Sequence, residues 1–582
     1  MRIVFHRRRS SAPCAGMGRI ATSIALLFMG LTASVALSAP DEMARMEHAI
    51  DLRVSNGQFM GAVLVAKDDK LLLNRGYGSA NLDWHIPNSP QTKFRLGSVT
   101  KQFTAASILL LEERGKLKVA DPIKNYLPDA PAAWDQITIF NLLTHTSGIP
   151  NFTSFADYQS TEAAPTTPEQ LVARFRDRPL EFAPASSFNY SNSGYVLLGY
   201  LIEKITGESY VKFLQDNIFT PLGMKDSGYD SNTRVVSNRA VGYAPGPEGP
   251  VIAGYIDMSI PFSAGGLYST TGDLLRWEQA LYGGKLLHQT SYQKMTTPFR
   301  NDYAFGLIVQ KAPNGDRILS HGGGIEGFNT EVMYIPAAHL AVIVLANLNG
   351  PSADDIALDL RRVAHGDTVT LVSDREAIKQ SASELDRLCG HYQFKSGIVM
   401  TVWRDGDRFL TQLPGQPSVQ VYPQSKRDFF AKVVDAQITF DTAAQGRATD
   451  LVLHQGGRDE VATRMDDAVA KRAADALALK IKNQSATPGS DIELRRLIAE
   501  LVAGKPDYDR MGEELAQATR QQLPRLSASL GALGAVQTVE FKGLSPGGAD
   551  IYRVKFEHGN IDARIRMMDD GKVGGAMFGP PQ

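Results

Sequence analysis

The sequence predicts an α/β fold of the α+β kind. An antiparallel sheet is flanked by helices and carries a helical subdomain; a small all-β barrel-like domain and a final α+β domain follow. Three observations lead there. Strand-like runs stand at both ends of residues 61–346, with helical patterns between them. From 390 to 464, short strands alternate with turn signals. Beyond 470, an amphipathic helical face precedes alternating strands that run to the end. Hydrophobic residues make up 43% and charged residues 21% of the 582, which excludes a disordered chain. A net charge of −1, with no dense Lys/Arg run past the first ten residues, excludes a nucleic-acid binder.

The elements follow in order. Arg7, Arg8, Arg9 and Arg19 precede an apolar run at 20–37 that ends in Ala36-Leu37-Ser38. Residues 1–38 therefore read as a signal peptide cut after Ser38, and the mature chain is expected in the periplasm or secreted. Of the two cysteines, Cys14 leaves with that segment and Cys389 alone can form no internal disulfide. No later stretch reaches spanning length without charge, so no stable membrane span is expected. Residues 61–77 form two strands around Asp68-Asp69, and helices follow at 101–114, 137–144, 194–206 and 208–217. Strands at 331–335 and 340–346, with Pro336 in the turn, complete a unit at 41–365. A β unit at 385–466 has strands at 399–403, 409–412, 429–434, 438–440 and 451–454. The last unit, 470–582, places Ile492, Leu494, Leu497, Ile498 and Leu501 on one helical face. A second helix over 510–530 and strands around Tyr552–Phe556 and Ile561–Met567 follow.

A serine nucleophile needs a partner that takes its proton. Ser98-Val99-Thr100-Lys101 puts a hydroxyl and an amine on one helix face. Ser209-x-x-Lys212 and Ser291-x-x-Lys294 match the same pattern, but only Ser98 follows a glycine, Gly97, at a helix start. There its backbone N–H can face an oxyanion. Tyr190-Ser191-Asn192 opens the helix at 194–206; a phenol can relay a proton and an amide can both donate to and accept from a substrate. His321-Gly322-Gly323-Gly324 follows the apolar Ile318-Leu319, and glycines on a strand allow close backbone approach. Gly322-x-Gly324-x-x-Gly327 formally matches a dinucleotide fingerprint, but a strand follows it where a helix is needed. His145 reads as a structural loop histidine rather than a second base. No metal-ligand spacing or phosphate loop occurs, so no metal and no cofactor are expected.

Ser98-x-x-Lys101, Tyr190-x-Asn192 and His321-x-Gly323 lie in that order, 92 and 131 residues apart. Together they resemble the three motifs of penicillin-binding-protein-like serine hydrolases. That group includes class C β-lactamases, D-Ala-D-Ala carboxypeptidases, D-aminopeptidases and related esterases. Residues 94–103, Leu142-Leu143-Thr144-His145-Thr146-Ser147-Gly148, Pro221-Leu222-Gly223-Met224 and Ala264-Gly265-Gly266-Leu267 fit the same family, over about residues 41–350. The resemblance implies a β-lactamase/transpeptidase-like domain. It makes Ser98 the acylated nucleophile, Lys101 the base or electrostatic activator, and Tyr190 the relay to the leaving group. Asn192, His321 and Gly323 would contact substrate, and the backbone N–H groups of Ser98 and Gly324 would form the oxyanion hole. Whether Lys101 or Tyr190 takes the serine proton stays open. Gly322 replaces a hydroxyl-bearing residue found in many relatives, so a donor to a substrate carboxylate is missing. That tilts the expectation from β-lactam or carboxypeptidase chemistry toward D-aminopeptidase-like or esterase-like chemistry. The implied partner is a small-molecule or peptide substrate, cell-wall peptides among the candidates; the rival reading is a non-hydrolytic sensor that binds cell-wall peptides or β-lactams. Residues 385–466 are similar to lipocalin-like β domains appended to this family, and the last unit resembles cone-shaped nuclear-transport-factor-like domains.

Overall fold

The computed structural model describes residues 39–579 apart from 156, 247, 313, 368–369, 443–445, 456–457, 532 and 569, so the expected signal peptide and its Ser38 cleavage point lie outside the described residues. Strands β1 (Gly61–Lys67) and β2 (Lys70–Tyr77) form a hairpin. Asp68 and Asp69 at its tip both take positive φ, 49° and 60°, as a two-residue turn matched to the strand twist requires. The chain rejoins this sheet as β3 (Ile308–Lys311), β4 (Arg317–Ile325), β5 (Phe328–Ile335) and β6 (Leu340–Ala346). The order is β3-β4-β5-β6-β1-β2, antiparallel throughout, with β1 and β6 in register from Gly61↔Ala346 to Lys67↔Leu340. One sheet is thus assembled from distant parts of the chain.

The continuous apolar run of β6 follows from its burial on both faces. Ala341, Ile343 and Leu345 enter a core shared with the helical subdomain, while Leu340, Val342, Val344 and Ala346 enter a second core on the opposite face. Helices α1 (Ala39–Ser55) and α4 (Ser352–His365) cover that second core; neither is foreseen in the sequence reading. Within the first core, α2 (Thr100–Glu113) is buried from Thr100 to Leu111 and packs against α3 (Asn192–Thr206). A helix apolar on all sides belongs in such a place.

Several boundaries differ from expectation. The helix expected at 137–144 is only Ile139–Leu143, started by a reciprocal Thr138–Asn141 cap. The one expected at 208–217 runs Tyr210–Leu214 and continues through a π-helical turn to Phe219. The last helix, Glu513–Gly531, runs through Pro524. The strand expected at 429–434 is Asp428–Ala431, because the chain then turns away and the Lys432 and Val433 carbonyls accept bonds from Asn56 and Gln58.

From Gly390–Phe394 to Arg458–Arg464, eight strands close into a barrel in sequence order, the first pairing with the last. The sequence reading finds five of them and misses Gly390–Phe394, Val419–Pro423 and Arg458–Arg464. Tyr392, Phe394, Phe409, Phe429 and Phe440 fill the interior, so it is a packed core. Beyond it, three helices precede a four-stranded antiparallel sheet running from Val536 to Gly579. Leu494, Leu497, Ile498 and Leu501 pack there against Tyr552, Val554 and Phe556. Among the described residues, no helix is long and apolar enough to cross a membrane.

Candidate active site

Ser98 stands in a single 3₁₀ turn, Gly97–Val99, that leads directly into α2. Two glycines let that turn touch the sheet. Gly97 has φ +51°, and a Cβ there would sit 2.9 Å from the Gly324 nitrogen. A Cβ on Gly323 would lie 2.0 Å from the Leu96 carbonyl oxygen. Gly323 therefore serves the docking of the Ser98 turn onto β4, an interaction sealed by the Thr330 hydroxyl donating to Leu96 O at 2.9 Å. The backbones of Ser98 and Gly324 become neighbours as a result, and Gly324 is exposed. β3 pairs with β4 only from Arg317 to Ser320, so from His321 onward the outer edge of β4 lacks a strand partner among the described residues.

One turn further along α2, Lys101 is fully buried. Its Nζ donates to Asn192 Oδ1 and to the Ala264 carbonyl, both at 2.8 Å, and lies 3.1 Å from Ser98 Oγ. Burial holds the ammonium well below the usual lysine range, and among the described residues no carboxylate pairs with it. The geometry suits the neutral amine: two N–H groups go to two obligate acceptors, and the third direction, where the lone pair lies, meets the serine hydroxyl.

Asn192 is the first residue of α3; its Nδ2 donates to Thr153 Oγ1 at 3.1 Å and its backbone N–H to Asn151 Oδ1 at 3.0 Å. The Tyr190 ring centroid is 4.8 Å from Lys101 Nζ. Its hydroxyl is buried, and burial pushes its pKa up while the hydroxyl of Ser98, its polar neighbour, pulls it back. His321 is buried on β4. Its Nδ1 lies 2.6 Å from the Gly322 carbonyl, which can only accept, so Nδ1 carries the proton and Nε2 accepts from the Tyr303 hydroxyl at 3.0 Å. Burial, helped by Lys101, lowers its pKa to about 4, so the ring is neutral.

On the other face of β4, the missing side chain of Gly322 would point at Glu331 Oε2, 2.8 Å from its Cβ, and at Asp354 Oδ1, 3.8 Å away. Carboxyl groups, not cations, line this stretch. The Lys of each of the two other matching tetrapeptides is engaged elsewhere. Ser209 caps the helix Tyr210–Leu214 while Lys212 pairs with Glu208 and Asp216, and Lys294 pairs with Glu112. Sequence reasoning misses Tyr303, Thr153 and Asn151, which carry no motif signal. It records the Ala264 phrase without finding that its carbonyl holds the lysine. Among the described residues, no cluster of three or more His, Cys, Asp or Glu is placed to hold a metal ion.

A buried amine bonded to a serine at the start of a helix, beside an open strand edge, is equipped for acyl transfer. Residues 46–366 match the family model described as beta-lactamase. The chain belongs to the beta-lactamase family. It is a serine hydrolase with a β-lactamase/transpeptidase-like catalytic domain, followed by the closed barrel and a further α+β unit. A second model, a domain of unknown function (DUF3471), matches 374–470, which includes the barrel. Penicillin-binding protein 4* of Bacillus subtilis (strain 168) is 29% identical over 436 residues, covering 70% of this chain and 95% of the relative. The octameric penicillin-binding protein homologue from Pyrococcus abyssi superposes with a TM-score of 0.54 at 25% identity, covering 72% of this chain and 99% of that one. D-amino acid amidase from Ochrobactrum anthropi SV3 shares the fold, with a TM-score of 0.50 at 24% identity over 56% of this chain and 98% of that one.

Proposed function

We propose that the chain is an exported hydrolase that cleaves amide or ester bonds of small substrates through an acyl-enzyme on Ser98, with D-amino-acid amides and short esters as its substrate class. The observation that carries this reading is the Lys101 amine, buried, unpaired with any carboxylate among the described residues and 3.1 Å from Ser98 Oγ. As Ser98 Oγ bonds to the substrate carbonyl carbon, its proton passes to Lys101 Nζ. The carbonyl oxygen becomes an oxyanion held by the Ser98 and Gly324 N–H groups. Collapse breaks the bond to the leaving group, which takes the Tyr190 hydroxyl proton, and the proton on Lys101 restores Tyr190. Water then releases the acyl group by the same steps in reverse order.

Two features support the substrate class. His321 is neutral, with both ring nitrogens engaged, and Gly322 faces Glu331 and Asp354. A substrate carboxylate at this edge would meet a neutral imidazole and no hydroxyl at position 322, while the acidic pair lies behind the strand on the face away from His321. The export rests on the segment 1–38. The purified protein should turn over D-amino-acid amides or p-nitrophenyl esters faster than a chromogenic cephalosporin. A phosphonate probe should label Ser98 and leave the Ser98→Ala protein unlabelled. Label found on Ser209 or Ser291 would overturn the assignment, and an acyl-enzyme that forms but never turns over would identify the sensor instead.

A further inference from the structure

The loop 144–148 reaches the site from behind Tyr190, and nothing in the proposed chemistry uses His145. Its surroundings are specific. The His145 carbonyl accepts the Asn189 N–H at 3.0 Å, and its Nδ1 accepts the Ser191 N–H at 3.1 Å. The two bonds bracket Tyr190 in the chain, one residue to each side. The imidazole also packs on the tyrosine itself, with ring centroids 4.3 Å apart, while Tyr303 and Tyr195 close around it at 4.5 and 5.1 Å. His145 holds a positive φ of 56°, the left-handed conformation that non-glycine residues adopt at a cost unless the surroundings impose it. The side chain is buried, and burial together with Lys101 and His321 keeps it neutral. A neutral ring that accepts at Nδ1 carries its proton on Nε2, and that atom is buried without a partner. The molecule thus tolerates both an unmatched donor and a strained backbone at this residue.

We infer that His145 is the positioning residue of the Tyr190 relay: it fixes the phenol against Ser98 by holding the backbone on both sides of Tyr190 and backing its ring. The inference rests on the proposed role of Tyr190 as the proton donor to the leaving group. The other rings around the tyrosine stand further off, Tyr303 at 6.0 Å and His321 at 6.3 Å between centroids, so the His145 ring is its nearest aromatic support among the described residues. A displaced phenol would leave Ser98 and Lys101 in place, so the defect would fall on protonation of the leaving group and spare the attack.

That distinction makes the test. Two variants separate the contributions. His145→Gly removes the acceptor and the ring and accepts the positive φ without strain. His145→Asn tolerates the same backbone and restores a side-chain acceptor. Each is measured as kcat/KM on esters sharing one acyl group, with p-nitrophenyl, phenyl and ethyl leaving groups, after melting curves establish that it is folded. p-Nitrophenolate departs without a proton, whereas ethoxide needs one, and general acid catalysis contributes about 10²–10⁴-fold. His145→Gly is expected to lose at least about tenfold more on the ethyl than on the p-nitrophenyl ester. His145→Asn should recover part of that loss. Tyr190→Phe should show the same leaving-group dependence, and adding His145→Gly to it should cost little more. Equal losses across the three esters, or full additivity with Tyr190→Phe, would overturn the inference while leaving the acyl-enzyme reading intact. A Tyr190→Phe variant without leaving-group dependence would overturn the Tyr190 role itself, and this inference with it.

Discussion

Glu331 offers a direct measure of how strongly the layer behind β4 and β5 excludes water. It lies on β5 opposite Gly322, is only 8% exposed, and makes no ion pair among the described residues. Burial, reinforced by the like charge of Asp354, pushes its pKa from 4.5 up to about 8, against a small opposing pull from Ser320. Below pH 4.5 the folded and unfolded chains are both protonated at this group, and it costs nothing. As the pH rises, the unfolded chain releases the proton while the folded chain keeps it, so stability falls until the folded group ionises near pH 8. At about 1.4 kcal/mol per pH unit, that span is worth about 5 kcal/mol. Glu331→Gln keeps the shape and removes the titration. The variant and the parent should therefore melt at similar temperatures at pH 4.5. The variant should then gain steadily, ending about 10–20 °C higher at pH 8, at roughly 2–4 °C per kcal/mol. Scanning calorimetry at half-unit steps between those limits reads the effect, and Asp354→Asn should flatten the parent's slope by removing the like charge. Two melting curves that stay parallel from pH 4.5 to 8 would show that Glu331 ionises normally and that the burial argument is wrong.

Other expectations follow from the same coordinates. Lys101→Ala and Tyr190→Phe should each lower turnover by orders of magnitude and be far from additive in the double variant, as groups acting together are; two small additive losses would mean that the pair is misassigned. Glu278 is fully buried with neither carboxyl oxygen bonded, so Glu278→Met should stabilise the fold by about 1–3 kcal/mol in denaturant titrations. A loss of stability would point to a partner at that carboxyl. A chain ending near residue 380 should stay folded and still acylate with the smallest ester. The barrel meets the catalytic unit at Asn56, Gln58 and Arg375, beside α1 and across the sheet from α2. A folded fragment that no longer acylates would place a C-terminal residue in the site.

What the sequence makes legible follows from how far apart the cooperating residues lie. Ser98 and Lys101 are three residues apart on one helix, so local spacing alone pairs them, and Gly97 marks which of three matching tetrapeptides starts its helix at the sheet. Tyr190 and Asn192 are visible because a motif places them at a helix start. Tyr303 and the Ala264 carbonyl are invisible for the opposite reason: each reaches the site through tertiary packing, and a backbone carbonyl has no residue identity to read. Gly323 is legible as a glycine on a strand, but its cause is not, since the close approach is to Leu96 of this same chain. In the sheet, continuous apolar runs reveal β1 and β6. The polar, glycine-rich β4 hides its outer half, and α4 hides behind acidic residues at its exposed start.

The electrostatics of the site have one further consequence for proton traffic. Lys101, His145 and His321 are three bases in one buried cluster, and burial lowers the pKa of each. They also act on one another: Lys101 lowers the pKa of both histidines, and His321 lowers that of His145. A proton taken from Ser98 onto Lys101 therefore makes a proton on either histidine still less favourable. Both histidines are therefore poor acceptors for that proton. Tyr190 differs in kind, since its phenol is neutral when protonated and its pKa is raised, not lowered, by the same burial. A phenol can pass a proton on and take another back while carrying charge only briefly. In the proposed mechanism, the burial that favours a neutral Lys101 thus leaves the route toward the leaving group as the favourable exit for the serine proton.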